Sequence, residues 1–338
     1  MIEHQIPKGY EGKGGIRAAV LAKSIANGIT ITTFLIDFPR FILAELNTHR
    51  SLSRNGASSR AIPVAQQIER VKNNPVVPIH FGLNQAGMSA DTEVDENTKN
   101  KGVCEWLFNA NRSVVGAQIL QGMGVHKQVV NRIMEPYSFM RMVVTATEWD
   151  NFFWLRLHKD ADPHIAELAR VMLHAYQQTP AVVLTEDCWH TPFFAQGFWS
   201  PVIENAHGTT AQQAIEHSMS CCAQTSYRKL DMSTEKTEAI VERLFNGERC
   251  HASPSEHIAR PFEYSRYVKL DVDFTLLATS TLHDPLRGTH LDWEGYIWSN
   301  NFKGWYQYRQ GINNNVCTSF DFNTPLDTSD IKSGIDMV

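Results

Sequence analysis

Twelve residues near the start of the chain concentrate side chains able to do chemistry. His49-Arg50-Ser51-Leu52-Ser53-Arg54-Asn55-Gly56-Ala57-Ser58-Ser59-Arg60 holds three arginines, four serines, an asparagine and a glycine. There is no apolar stripe to bury. Serine, asparagine and glycine suit a turn or helix start, where free backbone N–H groups gather, and guanidinium groups beside them make an anion site. Phosphate is the guest such a run fits, against a solvated basic loop as the plain alternative.

The flanking segments must position that run. Ile16 to Ile25, Ala26-Asn27-Gly28 and Ile29 to Ile36 read as a hairpin, because Asn-Gly suits a tight turn and the second arm is β-branched, although the alternation is incomplete. Phe41, Ile42 and Leu46 predict a helix after Pro39 that carries Glu45 and leads into the run. Ala65 to Val71 reads as a short amphipathic helix, and 73–100 as an irregular insertion rich in Pro, Gly and acids. Val115, Ile119, Met123, Val125, Val129 and Ile133 are spaced as one long helix strained at Gly122 and Gly124.

Met142 to Thr147 is strand-like. Asp162-Pro163 opens a helix with Ile165, Leu168, Ala169 and Met172 on one face. A loop-rich aromatic stretch from Gln178 to Gly208 precedes a helix at Ala211 to Cys222. A further helix is capped by Ser233, turns Ile240, Val241, Leu244 and Phe245 inward and stops at Gly247. Leu270 to Leu277 reads as a strand, the aromatic tract Trp293 to Arg309 as core packing, and 327–338 as a flexible tail.

At 338 residues the soft expectation is about two domains. With no clean linker or repeat, a single elaborated catalytic domain over 1–338 is expected, α/β or α+β, a twisted central sheet wrapped by helices. A hydrophobic content of 43% with 20% charged residues describes a globular protein, and no apolar run approaches the ~20 residues that cross a bilayer. Without a secretory apolar core at Met1 to Gly15, a cytoplasmic location is expected and no membrane role. A net charge of −5 argues against long nucleic acid as partner, whereas a small phosphorylated ligand needs only a local basic pocket. The six cysteines form no C-x-x-C pair, so reduced thiols and no metal site are expected.

The arginine run resembles the signature of the flavin-dependent thymidylate synthases (thymidylate synthase complementing protein type): Arg-His-Arg, two residues, Ser, one residue, Asn, two residues, Ser, one residue, Arg. His49, Arg50, Ser53, Asn55, Ser58 and Arg60 fall in place; Thr48 stands for the first arginine and Gly56 for a usual glutamate. Asn131-Arg132-Ile133-Met134-Glu135-Pro136 resembles the family's Ala-Arg-x-x-Leu-Pro element. Val144 to Arg156 resembles the block ending in Asn-Phe, two residues, Leu-Arg, with Thr145 and Thr147 where Asn and Arg are usual.

His251-Ala252-Ser253-Pro254-Ser255-Glu256-His257 resembles the His-x-Ser/Thr-x-x-Glu-His element, and Ala223-Gln224-Thr225-Ser226 the stretch before it. These come after the arginine signature instead of before it, so the chain reads as a circularly permuted, phage-like variant. Glu45 stands where glutamine is common, and Gln224 where arginine is.

The resemblance implies a site. Ser58, Arg60 and Arg132 would grip the nucleotide phosphate, Glu45 would lie near the phosphate or the base, and Arg156 would clamp and polarise the pyrimidine as the catalytic group. His49, Arg50, Asn55, Asn151, His251, Ser253 and Ser226 would surround FAD and folate. It implies transfer of a one-carbon unit from methylenetetrahydrofolate to C5 of dUMP through reduced FAD, with NADPH as reductant, in a homotetramer whose sites lie between subunits. Two alternatives stay open: related synthesis of a modified pyrimidine nucleotide, such as a 5-hydroxymethyl one on dUMP or dCMP, and a non-catalytic nucleotide-binding protein of the same fold.

Overall fold

The computed structural model describes residues 7–226, 230–246, 250–263, 288–317 and 319. The expected strand at Leu270 to Leu277, the tail from Asp327 and the stop at Gly247 lie outside them. No helix among the described residues is long and apolar enough to cross a membrane.

The hairpin forms as its turn residues require. After a short β1 (Tyr10–Glu11), β2 (Arg17–Ala26) and β3 (Ile29–Pro39) pair antiparallel, and Asn27 and Gly28 supply the two left-handed residues, φ 49° and 78°. The broken alternation has a cause: the register shifts between Val20 and Ala22, a bulge. α1 (Leu43–Asn47) follows a single 3-10 turn.

The next strand was not foreseen. Ser53–Gly56 is β4, paired antiparallel with β5 (Phe139–Ala146), so the middle of the arginine run is a sheet edge and not a turn or helix start. α2 (Val64–Asn73) is present as expected. α3 (Glu96–Gly122) begins far earlier than its apolar spacing indicated, because Asp95 caps it by accepting from Thr98 N at 3.0 Å. It also ends at Gly122, and Gly124 takes φ 79° before α4 (Lys127–Val130) and a 3-10 turn, Asn131–Tyr137. The single long helix expected through Ile133 is therefore three pieces. Its spaced residues face solvent, with Val115 53%, Ile119 53% and Met123 71% exposed, while Ala110, Val114 and Ala117 meet Ile68 and Val71 of α2.

α5 (Asp150–Arg156) and α6 (Pro163–Gln178) follow β5. Asp162 Oδ1 caps α6 by accepting from His164 N and Ile165 N, and Ile165, Leu168, Ala169 and Met172 are all fully buried. They pack with Val20, Phe34, Ile36 and Val144 on one face of the sheet. β6 (Val182–Val183) joins β2 in parallel, and β7 (Trp189–His190), β8 (Phe198–Trp199) and α7 (Pro201–His207) lead to α8 (Ala211–Ala223). Cys221 and Cys222 of α8 pack with Leu21, Val143 and Phe193 in a separate cluster, so helices pack against both faces of the sheet. α9 (Thr234–Phe245) is capped by Ser233 as expected.

The main sheet runs β1-β2-β3-β5-β4 with β6 on β2. Its pairs are antiparallel apart from β2 with β6, which makes the mixed fold α+β in character. β10 (Thr289–Leu291), β11 (Ile297–Ser299) and β12 (Phe302–Lys303) build one smaller antiparallel sheet, and β9 (Ala259–Pro261) and β13 (Trp305–Gln307) join β7 and β8 in another, ordered β13-β9-β7-β8. The aromatic tract is core only in part: Phe302 and Trp305 are buried, whereas Trp293 is 91% exposed between β10 and β11.

A chain of buried side chains stitches these layers together. Ser24 Oγ meets His190 Nδ1 (2.9 Å), His190 Nε2 meets Thr33 Oγ1 (2.8 Å), Thr33 meets Thr145 Oγ1 (2.7 Å), and Thr145 meets His257 Nδ1 (2.8 Å). Replacing Thr145 with Val keeps the shape and cuts the chain in the middle, so unfolding free energy in urea should fall by about 1–3 kcal/mol. An unchanged midpoint would show that the chain carries no net stability.

Candidate functional site

Arg156 ends α5, and its guanidinium is held by the segment that precedes β4. Nε donates to His49 Nε2 at 2.8 Å, and NH2 donates to Thr48 Oγ1 at 3.0 Å and Glu45 O at 3.4 Å. NH1 has no hydrogen-bond partner among the described residues. His49 can serve as acceptor because it is neutral. Burial first, then the cations of Arg156 and Arg54, push its pKa down to about 4, and its ring stands edge-on to Phe152 at 5.0 Å. The imidazole thus orients a cation without adding charge.

On the far side of β4 lies a second basic group. The Asn131 amide donates to Ser59 O (2.7 Å) and Ile62 O (2.9 Å), tying the turn that carries Ser58 and Arg60 to the turn that carries Arg132. Arg132 pairs with Glu135 at 3.2 Å, and so does Arg40. Arg60 is exposed. Arg156 touches neither Arg60 nor Arg132. Arg156 is tied to the chain entering β4, whereas Arg60 and the Asn131 turn lie with the chain leaving it.

The third group joins distant sequence. With its amide oriented by its neighbours, Asn55 donates to Arg54 O (3.1 Å) and Ser253 O (3.2 Å), which brings the His251 to His257 element against β4. Arg54 NH1 donates to Leu46 O at 3.3 Å; burial lowers its pKa and Glu256 opposes that shift. His251, Ser253, Arg50 and Asn151 are exposed. Ser226 lies in the 3-10 turn after α8.

Four departures from the resembled family's pattern, Thr48, Gly56, Thr145 and Thr147, have a local role. Thr48 Oγ1 accepts from Arg156 and donates to Glu45 O at 2.7 Å. A Cβ on Gly56 would lie 2.4 Å from Met140 Cε, so no larger residue fits there without displacing it. Thr145 holds His257, and Thr147 Oγ1 accepts from Lys303 N at 2.9 Å.

Sequence reasoning missed the support beneath β4. Asn301 Nδ2 donates to Ser51 O (2.8 Å) and Ser53 Oγ (3.1 Å), Gln307 Nε2 donates to Ser53 Oγ (3.2 Å), and Glu256 pairs with Arg309. Nothing in an aromatic tract marks two amides as partners of a serine some 250 residues away; only Glu256, inside the His-x-Ser element, was within sight.

Four of the cysteines sit in surroundings that do not favour a thiolate. Burial pushes Cys221 up to about 12 and Cys222 well above the ordinary thiol range, Cys250 is raised by burial against the opposing Arg309, and the Cys188 thiol points to Asp187. Among the described residues no cluster of three or more metal-ligating side chains is present.

The buried histidines fix a pH dependence. Folded, His49 binds its proton with a pKa of about 4 and His190 and His257 of about 3, all depressed chiefly by burial. Unfolded histidine lies near 6.5. Between those values the unfolded chain takes up more protons, so the stability present above about pH 6.5 is lost as pH falls toward 3. Urea midpoints should drop steadily from pH 7 to pH 4, and His49→Asn should shrink the drop; a flat profile would mean the imidazoles are not buried neutral.

No family model matches the chain, and no curated protein does. Among solved structures it is similar to a UMP/dUMP methylase PolB from Streptomyces cacaoi bound with 5-Br UMP, at 16% identity over 50% of this chain and 91% of that one, TM-score 0.42. The same enzyme with 5-Br dUMP gives 17% identity over 44% and 67%, TM-score 0.37.

Proposed function

We propose that this protein transfers a one-carbon unit from methylenetetrahydrofolate to C5 of a pyrimidine deoxynucleotide in the manner of the flavin-dependent thymidylate synthases, for which dUMP is the substrate. The observation that carries this is the anchored guanidinium of Arg156: three protein acceptors hold Nε and NH2, leaving NH1 for a ligand. The approach of Ser253 and His257 to β4 and β5 supports a permuted form of the family's arrangement.

C5 of a pyrimidine becomes a carbon nucleophile when negative charge is stabilised on the ring oxygens. Arg156, aimed by neutral His49, would donate to that developing oxyanion and lower the barrier by on the order of 3 kcal/mol. With the buried thiols kept protonated, this route needs no covalent attack at C6. Ser58, Arg60 and Arg132 would take the phosphate, which asks Arg132 to loosen its pair with Glu135.

FAD would be held by Arg50, Asn55, Asn151, His251, Ser253 and Ser226, with His49 beside it. When bound and reduced by NADPH, it would supply the electrons and carry the one-carbon unit. The exposed apolar face of α3 supports self-association, and a homo-oligomer, tetrameric in the resembled family, would bring a second copy to close this open surface.

Purified protein should show an oxidised flavin band. With methylenetetrahydrofolate and NADPH it should yield a C5-substituted nucleotide by mass. Arg156→Ala should lower turnover about 10²-fold or more while changing flavin affinity little. Wild-type turnover in that variant would remove Arg156 from the chemistry, and a colourless protein that cannot be reconstituted would leave only nucleotide binding.

A further inference from the structure

Glu45 lies in α1, one turn before His49. Its backbone carbonyl is occupied, accepting from Thr48 Oγ1 at 2.7 Å and from Arg156 NH2 at 3.4 Å. Its side chain is not: Oε2 is buried, and no donor among the described residues reaches it. Neither Arg156 nor Arg54 forms an ion pair with it, and the adjacent His49 is held neutral. A carboxylate oxygen withdrawn from water without a donor is costly, and a bound molecule that brings an N–H or O–H to it would remove that cost.

The neighbourhood restricts what that molecule is. Arg156 offers donors only, and an ionised Glu45 offers acceptors only. In uracil the single N3–H is flanked on both sides by carbonyl oxygens, so a carboxylate reaching for it is pressed against a second acceptor. An amide avoids this conflict by donating to O4 while accepting from N3–H. In cytosine the donors and acceptors are separated along the ring edge. The exocyclic N4 amino group faces a carboxylate without conflict, and N3 and O2 face a guanidinium.

We infer that Glu45 sets the base specificity of the site and selects cytosine, its carboxylate accepting from the N4 amino group, so that dCMP and not dUMP is the nucleotide taken. The inference rests on the proposed C5 chemistry and changes only the ring on which it acts. Gln at this position would return the site to uracil, and Asp would keep the carboxylate at a shorter reach.

The test is calorimetric titration of the flavin-loaded full-length protein with dCMP and with dUMP, for wild type, Glu45→Gln and Glu45→Asp, each verified as folded by circular dichroism. Wild type should bind dCMP at least about tenfold more tightly than dUMP. Glu45→Gln should erase or invert that ratio, and Glu45→Asp should keep its direction at lower affinity. A wild-type preference for dUMP, or a ratio unchanged in Glu45→Gln, overturns the role of Glu45 while leaving the C5 chemistry standing. Failure of folded, flavin-loaded wild type to bind either nucleotide overturns the functional proposal and this inference together.

Discussion

Everything in the candidate site hangs on the pairing of β4 with β5. β5 lies in the interior of the main sheet, buried on both faces, and its free edge accepts Ser53–Gly56 in register from Thr145 to Met142. That pairing fixes three directions at once. Chain entering β4 brings Glu45, Thr48 and His49 under Arg156. Chain leaving it brings Ser58 and Arg60 to the Asn131 turn, and the strand's outer edge receives Ser253 through Asn55. A slip of one residue would turn every side chain of β4 to the opposite face and separate these groups.

Polar groups beneath the site are placed so that rigidity comes without charge. His190 and His257 are wholly buried and neutral, linked through Thr33 and Thr145 across the sheet, while Ser53 is held by the amides of Asn301 and Gln307. Charge is kept for the rim, where Arg54, Arg60, Arg132 and Arg156 lie. A cation near a partly dry surface then acts on a ligand more strongly than it would in water, and behind it the buried imidazoles add no charge while Glu256 is paired with Arg309.

The sequence was most legible where local signals agree with the fold. Asn27-Gly28, Asp162-Pro163 with its one apolar face, and Ser233 each mark an element that forms where expected, because turn and cap chemistry is decided within a few residues. It was least legible where a distant partner decides. Ser53-Arg54-Asn55-Gly56 has none of the β-branched or aromatic residues typical of strands and is one only because β5 offers an unpaired edge. The α3 spacing misled because the periodic residues point outward, while smaller Ala110 and Ala117 make the contact with α2. In the site itself the resemblance picked out His49 and Arg156 separately; their hydrogen bond and the stranded carboxylate oxygen of Glu45 depend on residues more than a hundred positions apart coming together.

The central proposal is spatial: one nucleotide would lie along β4, its phosphate toward Arg60 and Arg132 and its ring toward Arg156, beside a flavin on the Asn55 and Ser253 edge. A crystal structure of the protein with FAD and a pyrimidine deoxynucleotide tests it most directly. The account predicts that all three arginines contact a single bound nucleotide, from one protomer or from copies related by symmetry. Density for the nucleotide at a place that Arg156 does not reach would contradict it.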